Sequence, residues 1–175
     1  MLSKRRSLVF LALLAQPALA APPPLPAFAL AYLDTANLKY ELPRAHFESY
    51  MREYFKSENQ PEPWAINEDF NGDDVTDWAG LLRNTNGRLD LVVIYSDECD
   101  YSHQVLTSAA VDQGEISAGV VVEPPGQVSG FPFEDGAPVP TITMINHGIH
   151  LLYFEKASVL YYWDQGSFSE MVTSD

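Results

Sequence analysis

Cysteine is nearly absent from this chain: Cys99 is the only one in 175 residues. An intramolecular disulfide is therefore impossible. Cys99 stands in Asp97-Glu98-Cys99-Asp100, where the neighbouring carboxylates oppose thiolate formation and argue against a nucleophile. In an oxidising compartment such a thiol is expected to be buried or paired with another chain.

Basic residues are scarce as well, with 10 Lys and Arg against 24 Asp and Glu. No basic patch and no Gly-rich phosphate loop occur, so nucleic acid is not an expected partner. Histidines number four, His46, His103, His147 and His150. A serine or cysteine nucleophile needs a nearby base, usually His, and no such arrangement is legible. His147 and His150 flank a turn, but zinc needs three or four ligands and nothing nearby completes the set. After residue 20 no apolar run approaches the roughly 20 residues that a spanning helix needs, so membrane insertion is not expected.

The amino terminus is different. Lys4, Arg5 and Arg6 precede an apolar run from Leu8 to Ala15, followed by Ala18-Leu19-Ala20. A basic start, a short apolar stretch and a small-x-small site read as a signal peptide over residues 1–20, which implies a periplasmic or secreted protein. Without those residues the chain holds seven basic residues against 24 acidic ones, a formal net charge of −17. That surplus favours cations or a basic protein as partner.

Residues 21–34 are rich in Pro and Ala and are expected to be extended or poorly ordered. From Leu42 the pattern becomes helical: Phe47, Tyr50, Met51, Tyr54 and Phe55 recur at i, i+3, i+4, i+7 and i+8, with Pro43 suited to the first turn. The remainder reads as strands: 64–66, 78–82, 89–95, 105–110, 118–122, 141–145, 149–154, 159–163 and 168–172. Asn84-Thr85-Asn86-Gly87 marks a turn, and residues 124–140 carry enough Pro and Gly to read as a long surface loop. The expected fold is α+β over residues 35–175. One N-terminal helix packs on a mostly antiparallel, hairpin-linked sheet, closing in a four-stranded meander from Thr141. Tyr161 and Trp163 should face one side of that meander and Tyr162 the other, with cross-strand packing as the expected use of the rings.

One segment carries chemistry: Asp69-Phe70-Asn71-Gly72-Asp73-Asp74-Val75-Thr76-Asp77. Side-chain oxygens fall at relative positions 1, 3, 5 and 9, and the Val75 carbonyl at position 7. Calcium takes six to eight oxygens at modest angular precision, which a tight loop supplies by turning alternate residues inward. The three carboxylates at these positions, Asp69, Asp73 and Asp77, repel one another if they converge, unless a cation joins them. Position 12 is Gly80, which departs from EF-hand loops.

The segment resembles the calcium hairpins of FG-GAP and VCBS repeats, over about residues 64–82. The resemblance implies that Asp69, Asn71, Asp73 and Asp77 donate side-chain oxygens to Ca2+ and that Val75 donates its carbonyl. Asp74 stands where that family usually has Gly, at a backbone position that often takes positive φ; Asp tolerates this better than most residues. The tail from His147 to Asp175 is similar to the closing segment of small exported bacterial proteins, which implies no activity. The expected function is an exported calcium-binding, non-enzymatic interaction module for a basic partner. The alternative is a small cell-wall or polysaccharide hydrolase using carboxylates, with calcium as a structural support and Asp97, Glu98, Glu134 and Asp135 as candidates. A structural domain tethered through Cys99 or the aromatic hairpin is a third reading.

Overall fold

The computed structural model describes residues 25–43, 49–57, 63–97, 100–110, 116–134, 136–154 and 156–175. The signal-peptide segment, His46, Phe47, Glu98, Cys99 and Asp135 lie outside these residues. The described chain is mostly antiparallel β with two short helices, where the sequence pattern gave one.

The sequence runs α1 (Ala27–Thr35), β1 (Tyr40–Glu41), α2 (Ser49–Ser57), β2 (Ala65–Glu68), β3 (Asp77–Asn84), β4 (Leu89–Asp97), β5 (Asp100–Ala109), β6 (Ala118–Glu123), β7 (Gly126–Ser129), β8 (Thr141–Met144), β9 (Gly148–Tyr153), β10 (Ala157–Asp164) and β11 (Ser167–Ser174). β1, β3, β4 and β5 follow one another in the first sheet, with β2 also paired to β3. The second sheet has the order β11-β10-β9-β6, and β7 pairs with β8 alone.

β3 and β4 are central and buried on both faces, which explains their near-continuous apolar runs. Opposed residues of antiparallel strands share a face. Trp78 opposes Ile94, and Ile94 opposes His103, so these side chains lie on one side of the first sheet. α1 covers that side: Phe28 stacks on Tyr101 at 4.9 Å and the Tyr32 hydroxyl bonds His103 Nδ1 at 2.8 Å. Tyr95, on the opposite face, meets Trp163 of β10 and Phe168 of β11, so the second sheet packs there. One core joins the sheets through Leu81, Val93, Val120, Leu151 and Tyr161.

The far face of the second sheet is covered twice. Phe55 of α2 lies over Gly119, where a Cβ would strike its ring. Tyr50 and Tyr54 of the same helix set their rings against Phe154. β7 and β8 cover the rest, with Met144, Leu160 and Met171 packed together beside Val128, Ile142 and Tyr162.

Three expectations need correction. Residues 27–34, part of the lead expected to be extended or poorly ordered, belong to the helix Ala27–Thr35: Pro26 precedes the first turn, and Ala29 and Leu33 bury themselves one turn apart. Residues 126–129, expected as loop, form β7, because β8 supplies a partner that local sequence does not reveal. β8 therefore leaves the closing meander, which has three of its four expected strands, β9, β10 and β11. Gly148 allows this departure: a side chain there would strike Leu160 and Met144.

Candidate metal centre

The acidic loop joins β2 to β3, which pair from Ala65 opposite Gly80 to Glu68 opposite Asp77. It is folded largely by its own side chains. Asp69 Oδ1 accepts the N–H groups of Gly72 (2.6 Å) and Asp73 (3.2 Å), and Oδ2 accepts that of Asp74 (2.9 Å). Asn71 Oδ1 also accepts the Asp73 N–H, at 3.2 Å, and Asp73 Oδ1 accepts that of Val75, at 2.9 Å. Such bonds replace strand pairing with a tight turn, as short Asx side chains do. Gly72 and Asp74 take φ of +83° and +65°, so the sixth position has the left-handed backbone that favours Gly.

The five expected ligands occupy unlike surroundings. Asp69, Asn71 and Asp73 share the loop, and two of their oxygens meet at the Asp73 N–H. Val75 lies at the exposed rim. Asp77 is fully buried, and its carboxylate is enclosed by main chain: Oδ2 accepts from Phe70 (2.9 Å) and Asn71 (3.3 Å), Oδ1 from Ser96 (3.0 Å). Among the described residues no group of three or more His, Cys, Asp or Glu gathers as a metal site. The oxygen chemistry of Asp69, Asn71 and Asp73 nevertheless suits a hard cation.

Burial pushes the Asp77 carboxyl up to about 6, against the lowering effect of its three N–H donors, and the nearby Asp73 charge adds to the rise. Asp73 moves the other way. Burial opposes the shift, but bonds from the Ser96 hydroxyl, the Val75 N–H, the Asn71 amide and its own N–H hold its carboxyl below the usual range.

Ser96, at the end of β4, is the residue that sequence reasoning missed. Its N–H binds Asp77, its carbonyl accepts from Asn71 Nδ2 at 2.7 Å, and its hydroxyl binds Asp73 Oδ2. The β3–β4 register places it there by carrying β4 past the first residue of β3. Nothing local to Ser96 signals this. The turn after β8 also reaches the loop: a Cβ on Gly72 would meet the Asn146 amide within 2.6 Å, and His147 stands 3.8 Å from Glu68.

No family model, curated protein or solved structure matches this chain.

Among the described residues the remaining candidates have separate partners. His147 and His150 contact different acids, Glu68 and Glu123, and His150 Nε2 lies 2.7 Å from Thr173 Oγ1. Asp97 accepts from the Ser102 hydroxyl at 3.1 Å.

Proposed function

We infer that the chain is an exported, calcium-binding and non-enzymatic interaction module whose partner is a basic protein. Residues 1–20 direct export. Ca2+ is held by side-chain oxygens of Asp69, Asn71, Asp73 and Asp77 and by the Val75 carbonyl, closing the loop between β2 and β3. The observation that carries the reading is a loop whose side chains already form its turn, with Gly72 and Asp74 in left-handed backbone and two Asx oxygens meeting at the Asp73 N–H. The surplus of acid over base supports a cationic partner, through steering more than through any single ion pair.

The test is thermal unfolding with calcium and with EDTA. A ligand at a hundredfold its Kd stabilises by about 2.7 kcal/mol, and about 1 kcal/mol moves Tm by roughly 2–4 °C in a domain of this size. Calcium should raise Tm by several degrees in the parent and leave Asp73→Ala unmoved. An identical parent Tm in calcium and in EDTA would overturn the calcium reading. For the partner, affinity capture from an envelope extract should retain a basic protein that high salt releases.

A further inference from the structure

Among the described residues β5 borders β4 on one edge and no other strand on the second. Among the described residues none outside β4 hydrogen-bonds the main chain of residues 102–106. Natural sheets guard such edges with Pro, Lys or bulges. Tyr101 to Val105 has neither Pro nor Lys, and the register shift opposite Leu91 and Val92 falls beyond it, at Leu106. Five residues of regular edge, unpaired by any described residue, therefore remain.

A cleft of about 470 Å³ adjoins this edge, between α1 and the start of β5. Phe28, Tyr32 and Tyr101 give it aromatic walls and Asp100 gives it a carboxylate; among the described residues no basic side chain lines it. Asp100 Oδ1 accepts the Tyr101 N–H at 2.8 Å, and both residues line the cleft. Its charge reaches the Tyr32 hydroxyl as well, whose pKa is raised by burial first and by Asp100 second. Asp97 opposes Asp100 across the hairpin, adding a second acid at this end. Aromatic faces beside a carboxylate recognise an organic cation, and Arg suits them best because its guanidinium stacks as well as pairs.

We propose that this end of β5 binds an extended segment of a basic partner. The segment adds as a strand along Tyr101–Val105, and one of its Arg side chains enters the Phe28–Tyr32–Tyr101 cleft against Asp100. Main-chain pairing supplies general affinity and the cleft supplies selection, as in other strand-addition sites. A second copy of the chain fits less well, because two acidic molecules would be brought edge to edge. The inference rests on the basic-partner reading above and names its site.

The test uses the full chain labelled with ¹⁵N and a blocked heptapeptide, Thr-Val-Thr-Arg-Thr-Val-Thr. The peptide should shift the amide signals of Tyr101 to Val105, and N-methylation along one of its two edges should abolish binding. Glu in place of the peptide Arg should weaken it about tenfold, by exchanging attraction for repulsion. Asp100→Asn, at an exposed position, should weaken the Arg peptide roughly threefold to fivefold with Tm unchanged. Absence of binding, indifference to methylation on both edges, or shifts confined to other strands would overturn the proposal. So would a concentration-dependent dimer that protects these same amides, since it assigns the edge to a second copy. A salt-released basic protein whose capture is unaffected by Asp100→Asn would refute this site and leave the partner reading standing.

Discussion

A carboxylate with no exposed surface is costly unless its charge is matched, and without a cation the partners of Asp77 among the described residues are main-chain N–H groups. Burial therefore pushes its carboxyl up to about 6 in the fold, above the ordinary aspartate value of 3.8. For an acid whose folded pKa is raised, the native state binds more protons than the unfolded state between those values, so stability falls as pH rises through them. In EDTA the parent should melt several degrees lower at pH 7 than at pH 5 on this account, and Asp77→Asn should flatten that slope. An equally steep slope in the variant would show that Asp77 is not its source. The same residue scale governs Asp74, exposed and at φ +65°. Asp74→Gly removes left-handed strain of roughly 1 kcal/mol or less and should raise Tm slightly in EDTA; a lower Tm would mean that the Asp74 side chain holds the loop.

Elements show where local pattern succeeds. β3, β4, β9, β10 and β11 were legible because long apolar or alternating runs are bounded by turn chemistry, as at Asn84, whose side-chain oxygen takes the N–H groups of Asn86 and Arg88. α1 was not legible. It has nine residues, no capping side chain and apolar residues around its circumference, so no 3.6-residue stripe stands out. Tertiary contact makes it a helix: Leu33 and Ala29 enter the core while Phe28 and Tyr32 meet β5. Leu33→Ala should therefore cost about 2–4 kcal/mol, read by urea unfolding, whereas an extended lead would lose almost nothing. The acidic loop was legible as spacing. The roles within it were not, since Asp77 and Ser96 acquire theirs only through the β3–β4 register. The cover over the Tyr162 face was not legible for a comparable reason: β7 and β8, which supply it, pair at a distance of more than ten residues. Gly119 offers a test of the α2 contact, because Gly119→Ala sets a Cβ against the Phe55 ring and 3.1 Å from the Pro63 carbonyl. Overpacking of that kind costs about 1–3 kcal/mol.

For the whole molecule, charge and calcium compete to explain the same observation. A chain with 24 acidic residues repels itself, and any salt that screens the repulsion stabilises the fold. A rise in Tm with calcium chloride is therefore ambiguous until screening is held constant. The discriminating comparison sets calcium against magnesium and sodium at matched ionic strength. Screening depends on ionic strength and treats the two divalent ions alike, whereas a loop of flexible oxygens favours the larger ion, because magnesium demands near-ideal octahedral geometry and sheds its water reluctantly. Calcium should give a saturable rise beyond that of magnesium, absent in Asp73→Ala, superimposed on a smaller rise common to all three salts. Equal curves for calcium and magnesium, unchanged by Asp73→Ala, would assign the whole effect to general screening and leave the loop as a hydrogen-bonded turn.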